Sequence, residues 1–242
     1  MFDGAGLGYP ICMSAKVEKE LPAAPHPHGM TPYPGRTRYM PTPPDDEMRD
    51  YAGRHLADPE HCRDVVEQTA ESFGGLDILV NNVAYQAVAE QLTDISDERW
   101  RHTFAVNIDS FFHTTKAALP HLTDGGAIVN TASINGLRGN KTLIDYSATK
   151  GAVIAFTYAL SQSLQPRGIR VNCVAPGPVW TPLIPATMDA ERVASFGENA
   201  PFGRPAQPDE IAPSYVFFAA GRLSSYYSGE VLAPLGGETL PG

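Results

Sequence analysis

The chain has 242 residues, which is enough for one large α/β domain with a sizeable core. Its formal net charge of -9 argues against nucleic acid or an anionic membrane surface as a partner. Its three cysteines are widely scattered and indicate neither a disulfide framework nor a metal site, so we expect a reducing, cytoplasmic setting. No apolar run reaches the roughly 20 residues needed to cross a bilayer, and the N-terminus lacks the pattern of a signal peptide.

The first 50 residues are rich in proline and have almost no periodic apolar pattern. Prolines stand at positions 10, 22, 25, 27, 32, 34, 41, 43 and 44. Because proline fixes φ and lacks a backbone N–H, this composition argues against a helix or an inner strand. We therefore expect residues 1–54 to form a largely irregular, extended arm.

The stretch GAGLG at the start of the arm is a candidate phosphate-binding loop, but its surroundings do not fit that function. Such a loop follows a buried strand and opens a helix. Only three residues precede Gly4, and Tyr9 and Pro10 follow Gly8. The spacing of Gly4, Gly6 and Gly8 also differs from G-x-G-x-x-G. We interpret the stretch as part of a flexible tail.

Residues 55–242 alternate between helical patterns and apolar strands. The first helix has Asp58 as its predicted N-cap and Pro59 at its first position, and it ends at Gly74. The segments that follow are strand LDILVNNVA, helix ISDERWRHTFAVNIDSFFHTTKAALPHL with Ser96 as cap, strand GGAIVNTAS, helix IDYSATKGAVIAFTYALSQSLQPRG, strand IRVNCVAPGPV, helix QPDEIAPSYVFFAA and strand GEVLAPLGG. This alternation predicts an α/β fold with a parallel, doubly wound sheet.

Two residues of the IDYSATK helix form a pair suited to acid–base chemistry. Tyr146 and Lys150 are four residues apart, so their side chains share one helix face. A free phenol has a pKa of about 10, and a nearby ammonium lowers it, which would make Tyr146 a usable acid and base. Ser133 follows a strand at the edge where ligands collect in open α/β sheets. Taken alone, such a Tyr-x-x-x-Lys pair is more often a solvated helix face.

Five motifs occur in a recognisable order: NNVA after a strand, VNI in the next helix, TAS after the next strand, then YSATK and PGPVWT. In this order and spacing, residues 55–242 resemble the short-chain dehydrogenase/reductases, which implies a Rossmann-like fold. The segments NNVAYQ, IPATM, FGRPAQPDEIAPSYVFFA and SSYYSGEVLAPLGGETLPG are more narrowly similar to a bacterial general-stress subgroup. MTPYPGRTRYMPTPPDDEMRDYAG is similar to the proline-rich N-terminal extension of that subgroup.

The resemblance implies a role for each matching residue. Tyr146 would be the general acid/base, Lys150 would lower its pKa and bind the nicotinamide ribose, and Ser133 would hold the substrate oxygen. Asn107 would anchor a water that relays protons through Lys150, although by itself it could be only a helix-kinking residue. The residues expected to contact the cofactor, NAD or NADP, are Asn81, Asn82, Tyr146, Lys150, Pro176, Gly177, Val179 and Thr181.

One part of the family pattern is missing. The T-G-x-x-x-G-x-G loop occurs nowhere in the chain, and residues 1–54 contain no apolar runs able to replace the strands around it. His55 stands where the family usually carries an adenine-contacting aspartate. The chain thus resembles a family member whose nucleotide-binding part is deleted. We expect LDILV to become an edge strand with an uncovered apolar face, and nicotinamide cofactors to bind weakly.

The resemblance implies an NAD(P)-dependent oxidoreductase that interconverts a small-molecule alcohol and a carbonyl compound, assembled as a homo-oligomer (tetramer or dimer). Residues 182–202 are expected to form a lid over the substrate. Two alternatives stay open. The chain could be a non-catalytic remnant, or pseudoenzyme, that joins other subunits through its two long helices, or a regulatory binding protein without turnover. Neither the substrate nor the choice between NAD and NADP follows from the sequence.

Overall fold

The computed structural model describes residues 12–14 and 56–239, with only the backbone described for the first of these segments. Most of the arm predicted at residues 1–54, including GAGLG, lies outside the described residues. The described part of the arm is regular, because Cys12–Ser14 form a short strand, β1.

The remaining strands are β2 (Leu76–Asn81), β3 (Leu122–Thr131), β4 (Arg170–Val174) and β5 (Val231–Leu232). The helices are α1 (Pro59–Phe73), α2 (Asp97–Phe104), α3 (Ser110–Ala118), α4 (Ile134–Arg138), α5 (Ile144–Ser163), α6 (Leu183–Thr187), α7 (Ala190–Ala194), α8 (Pro208–Ala219) and α9 (Gly221–Ser224). A π-helical segment, Ala105–Asp109, joins α2 to α3. The strands and helices predicted for residues 55–242 are all present, which confirms the α/β class.

The five strands form one sheet in the order β1-β2-β3-β4-β5. The pairs from β2 to β5 are parallel, as predicted, whereas β1 runs antiparallel to β2 with Met13 opposite Leu79. The prediction that LDILV is an unpaired edge is therefore wrong over Ile78–Val80. The arm can supply this strand because the segment between Pro10 and Pro22 contains no proline, and its backbone N–H groups are available for pairing.

Local capping explains where α1 and α2 begin and where α1 ends. Asp58 accepts a hydrogen bond from the backbone N–H of Glu60 at 2.9 Å. Gly74 ends α1 with a φ of 75°, a left-handed conformation that favours glycine. Ser96 caps α2, because its hydroxyl accepts from the backbone N–H of Arg99 at 3.1 Å. These caps confirm the predicted helix boundaries.

The long helix predicted between Ser96 and the second strand is interrupted. The segment Ala105–Asp109 is π-helical and contains Asn107. The side chain of Asn107 is fully buried and exchanges two hydrogen bonds with the backbone of Tyr85, at 2.7 and 2.8 Å. These bonds stabilise the wider π-helical turn, which the helical spacing of apolar residues in the sequence does not predict. Single-turn bulges of this kind are frequent at functional sites.

The two faces of the sheet are covered to different extents. Helices α1, α3 and α5 pack on one face and form a large apolar core. On the opposite face, α8 packs on β3 and β4, where Ile211 and Phe218 contact Val129 and Val174. Residues of β2 on that face are half-buried by the described part of the chain. The apolar face predicted to be uncovered is therefore partly covered.

Candidate active site

Three polar groups meet beyond the carboxyl end of β3. Tyr146 and Lys150 lie one turn apart in α5, and Ser133 is the N-cap of α4. Their relative exposures are 8%, 1% and 8%, which excludes the alternative of a solvated helix face. Ser133 forms a hydrogen bond with the hydroxyl of Tyr146. The ammonium of Lys150 lies 5.6 Å from the centroid of the Tyr146 ring. The structure thus brings the three predicted groups into one cluster.

The pKa of Tyr146 differs from the sequence-based expectation. Burial raises this pKa above its ordinary value of 10.0, and the hydrogen bond with Ser133 only partly opposes the rise. The sequence predicts that Lys150 lowers the pKa of Tyr146, but its ammonium donates a hydrogen bond to the carbonyl oxygen of Thr131. The phenol is therefore protonated at neutral pH and is available as a proton donor.

Lys150 is enclosed beneath the site. Its ammonium donates to the carbonyl oxygen of Thr131, the last residue of β3, at 2.8 Å. Burial lowers the pKa of Lys150 from 10.5 to about 8, because the charged form loses its hydration. The ring of Phe111 lies 5.5 Å from the same ammonium. An amine with this pKa exchanges its proton close to neutral pH.

Asn107 joins the loop after β2 to the helix that carries Tyr146. Its side-chain oxygen accepts from the N–H of Tyr85, and its amide nitrogen donates to the carbonyl oxygen of Tyr85 and to the hydroxyl of Thr149, at 3.0 Å for the latter. Thr149 directly precedes Lys150 in α5. The side chain of Asn107 is therefore committed to protein partners, and its role as the anchor of a water relay stays a prediction.

Asn81 and Asn82 have different surroundings. The buried side chain of Asn81 accepts from Thr114 of α3 at 2.8 Å and donates to Asn130 of β3 at 2.9 Å. This leaves its predicted cofactor contact to its backbone. Asn82 is exposed, and its side-chain oxygen accepts from the hydroxyl of Tyr215 at 3.3 Å. Of the two amide side chains, the one of Asn82 is accessible to a ligand.

The segment after β4 passes beside Ser133. The carbonyl oxygen of Pro176 accepts from the N–H of Ile134, the residue after Ser133, at 2.9 Å. Gly177 lies so close to the chain near β5 that an added Cβ would be 3.3 Å from the Cα of Leu235. This close approach favours glycine, so Gly177 has a packing role whether or not it contacts a ligand.

Val179 and Thr181 continue this segment, and both are half-buried. Val179 forms an isolated parallel bridge with Ala206, which fixes the segment against the start of α8. A cavity of about 220 Å³ lies beside Gly177 and extends to Phe202. None of Ser133, Tyr146 and Lys150 lines it, so we assign it no part in the chemistry.

Comparison with known proteins decides the family. Residues 53–239 match a family profile described as enoyl-(acyl carrier protein) reductase. The solved structure of a short-chain dehydrogenase from Burkholderia cenocepacia, in complex with NADP, superposes with a TM-score of 0.69 at 33% identity, over 76% of this chain and 74% of that one. The chain belongs to the short-chain dehydrogenase/reductase family.

Curated relatives of this short-chain dehydrogenase/reductase include plant and bacterial proteins. It is 48% identical to the chloroplastic NADPH-dependent aldehyde reductase 1 of Arabidopsis thaliana, over 74% of this chain and 62% of that protein. It is 51% identical to glucose and ribitol dehydrogenase of Daucus carota, over 76% and 62% of the two chains. It is also 51% identical to general stress protein 39 of Bacillus subtilis, over 75% and 63%. The chain thus spans less than two thirds of these relatives.

The groups around Tyr146 fit one half of the NADP that the Burkholderia protein binds. The ammonium of Lys150 carries three N–H donors, and Thr131 is its one acceptor among the described residues. A buried ammonium with spare donors beside a phenol suits the neighbouring hydroxyls of a ribose. Asn82, Gly177, Val179 and Thr181 belong to segments at the same edge of the sheet. The described residues therefore fit the ribose and nicotinamide.

Residues 12–14 and 56–239 contain no comparable set of groups for the diphosphate of NADP. A glycine-rich turn at the edge that carries Ser133 must follow a strand that runs parallel to β2. β1 runs the other way, with Cys12 opposite Val80 and Ser14 opposite Ile78. The carboxyl end of β1 therefore lies toward the opposite edge of the sheet and cannot provide that turn.

The predicted lid, residues 182–202, contains the short helices α6 and α7. Gln86 donates to the hydroxyl of Thr187 at 3.0 Å, and Arg192 forms an ion pair with Glu90. Both contacts join the lid to the loop that follows β2. This loop is therefore connected on one side to the lid and on the other, through Asn107, to α5.

Sequence reasoning missed Arg99 and Asp145, which form a buried ion pair beside the site. Asp145 directly precedes Tyr146, and an acid in the first turn of a helix is usually explained by the helix dipole. No local signal separates Arg99 from Arg101 on the same helix. The partner of Arg99 lies 46 residues away in the sequence, whereas the partner of Arg101 lies four residues away. Only folding distinguishes the two arginines.

Residues 12–14 and 56–239 contain neither a metal-binding cluster nor a membrane-spanning helix. No group of three or more His, Cys, Asp or Glu side chains is placed to hold a metal ion. No helix in that part of the chain combines the length and apolar character needed to cross a membrane.

Proposed function

We propose that this chain interconverts an alcohol and a carbonyl compound with NAD or NADP, and that Tyr146 transfers the hydroxyl proton. The observation that carries the proposal is the buried cluster of Ser133, Tyr146 and Lys150 at the carboxyl edge of the sheet. A phenol, a hydroxyl and an ammonium together can donate a proton to one oxygen and orient it. A bound nicotinamide would supply or accept the hydride.

Each residue of the cluster has a distinct task. Ser133 orients the substrate oxygen toward Tyr146, and Tyr146 gives that oxygen its proton as the carbonyl is reduced. The raised pKa of Tyr146 keeps the phenol protonated at neutral pH, which suits reduction more than oxidation. Lys150, with a pKa near 8, replaces the proton that Tyr146 loses and holds the ribose hydroxyls.

The cofactor is held chiefly through its nicotinamide end, by Asn82, Gly177, Val179 and Thr181 together with Lys150. Because the T-G-x-x-x-G-x-G loop is missing from the sequence, the diphosphate loses the helix N-terminus that would bind it. We therefore infer weakened binding of NAD or NADP by the isolated chain.

The substrate is a small aldehyde or polyol enclosed by residues 182–202. Relatives named as an NADPH-dependent aldehyde reductase and as glucose and ribitol dehydrogenases support this class. The lid offers the half-buried Met188, Val193 and Phe196, which favour a substrate with an apolar part. The protein acts in the cytoplasm, in line with its buried free thiols Cys62 and Cys173.

The assembly is a homo-oligomer formed through α3 and α5. Phe112 on α3 and Tyr158 on α5 are 47% and 44% exposed in the single chain, and an interface would cover them. A second candidate function uses the same surface without turnover. A non-catalytic subunit that joins other chains is favoured by the extent of the match, since the matching residues cover only 62% of these relatives.

A cofactor titration and a turnover assay test the proposal together. The purified full chain is titrated with NADPH and NADH by fluorescence, and carbonyl-dependent oxidation of each is then followed with an aldehyde panel. We expect weak but saturable binding and slow turnover. Tight binding would contradict the inferred loss of the diphosphate site, whereas binding without turnover for any carbonyl would favour the non-catalytic subunit.

A further inference from the structure

The carboxylate of Asp145 is the most enclosed charge near the site, with no exposed surface. Arg99 holds it with two donors, Nε to Oδ2 at 3.0 Å and Nη2 to Oδ1 at 3.1 Å. The hydroxyl of Thr103 also donates to Oδ2, at 2.9 Å. Because Asp145 lies in the first turn of α5, directly before Tyr146, this pair fixes the turn that carries the phenol.

The same guanidinium also holds the loop that follows β2. Arg99 Nη1 donates to the carbonyl oxygen of Val88 at 3.1 Å, and Nη2 donates to that of Ala87. This loop, residues 82–91, begins with the exposed Asn82 and carries Gln86 and Glu90, the residues that contact the lid. A single side chain therefore connects α2, the start of α5 and the loop that borders the site.

We propose that Arg99 is a positioning residue: it sets the hydroxyl of Tyr146 against Ser133 and holds residues 82–91 in register with it. The inference rests on the proposed function, because it assigns Arg99 a part in the same proton transfer. Lysine cannot replace it, since an ammonium lacks the planar fork that reaches both carboxylate oxygens and two carbonyls at once. Arg99 itself does not touch the reacting atoms.

The chain offers a matched control on the same helix. The side chain of Arg101 is 70% exposed, and among the described residues its ion pair is with Asp97 on the same helix, at 3.6 Å. The test compares Arg99→Gln and Arg99→Lys with Arg101→Gln and Arg101→Lys. Because a lone buried carboxylate can unfold the protein, a double variant, Arg99→Met with Asp145→Leu, replaces both charges by apolar groups of similar size.

The first readout is turnover of an aldehyde that the wild type reduces. We expect both Arg99 single variants and the double variant to lose kcat by on the order of 100-fold, as small misplacements of reacting groups do. The KM for the aldehyde should stay nearly unchanged, and both Arg101 variants should match the wild type. An Arg99→Lys variant with wild-type kcat would overturn the inference, as would a double variant that regains wild-type kcat.

The second readout needs no turnover and so separates this inference from the proposed function. Absorbance titration of the tyrosinate, with Tyr146→Phe subtracted, reports the Tyr146 phenol alone. In the wild type its midpoint should lie above 10.0, and in the Arg99 variants it should fall toward 10.0 as water reaches the ring. An unchanged midpoint in the folded Arg99→Lys and double variants would overturn the inference. So would unfolding of every Arg99 variant, since the pair would then serve stability alone.

Discussion

The two faces of the sheet differ in how completely they are covered. Toward α1, α3 and α5, Ile128 and Val171 are fully buried. On the opposite face, Val129 is fully buried beneath α8, whereas Ile78 and Val80 of β2 are half-buried by the described residues. Coverage of that second face therefore decreases from β3 toward β2.

This difference in coverage separates two parts of the site: the enclosed cluster around Tyr146 and the region beside β2. Tyr146 and Lys150 belong to α5, which packs on the covered face, and Ser133 follows β3, a strand buried on both faces. The cluster of Ser133, Tyr146 and Lys150 therefore lies in the well-covered part of the fold. The side of β2 where a parallel strand would have to precede a glycine-rich turn is occupied by the antiparallel β1.

The largest expected effect comes from matched isoleucines on the two faces. Ile128→Ala removes a fully buried side chain and should lower the free energy of unfolding by about 2–5 kcal/mol. Ile78→Ala, on the half-covered face of the neighbouring strand, should cost only about 1 kcal/mol. Urea denaturation of both variants measures the difference. Equal losses would show that the second face is as well covered as the first.

The pH dependence of stability tests the enclosure of Lys150. Because its pKa is lowered from 10.5 to about 8, the unfolded chain binds more protons than the folded chain between these values. The free-energy cost of burying the charged ammonium is thus fully present below pH 8, and it disappears as the pH rises toward 10.5. Lys150→Met removes this cost.

We expect Lys150→Met to be more stable than the wild type at pH 7, by up to about 3 kcal/mol, and to lose most of this advantage by pH 10. Comparing the two chains is necessary because Cys62 and Cys173, with pKa values raised to about 11, act in the opposite direction above pH 9. If the difference in stability between the two chains did not change with pH, Lys150 would have to be in contact with solvent.

The smallest expected effect concerns the edge that β1 covers. Met13→Pro removes a backbone N–H and should disrupt the three-residue pairing with β2. We expect a loss of only about 1 kcal/mol in stability, in line with one or two hydrogen bonds. Hydrogen exchange should quicken at the amides of Ile78–Val80 and stay unchanged in β4. Unaltered exchange in β2 would show that β1 does not protect it.

Short-range features of this chain were predictable, and long-range ones were not. The caps Asp58 and Gly74 and the helical spacing of Tyr146 and Lys150 follow from neighbouring residues, so sequence reasoning located them. The pairing of Met13 with Leu79 joins residues 66 positions apart in the sequence, and one of them lies in an arm whose prolines argued against a helix or an inner strand.

The raised pKa of Tyr146 could also not be predicted from the sequence. Its spacing from Lys150 is local, but the pKa depends on how deeply the ring is buried and on where the ammonium directs its hydrogen bond. The ion pair of Arg99 with Asp145 escaped prediction for a similar reason, since its contacts come from three separate segments.

Comparing the turnover of Tyr146→Phe with that of Tyr158→Phe tests the central claim, proton transfer by Tyr146, most directly. Both phenols lie on α5, but Tyr158 is 44% exposed and remote from Ser133, whereas Tyr146 is buried against it. We predict that Tyr146→Phe lowers aldehyde reduction by on the order of 10²–10⁴-fold with an unchanged circular dichroism spectrum, and that Tyr158→Phe retains the wild-type rate. Equal rates for Tyr146→Phe and the wild type would contradict the account.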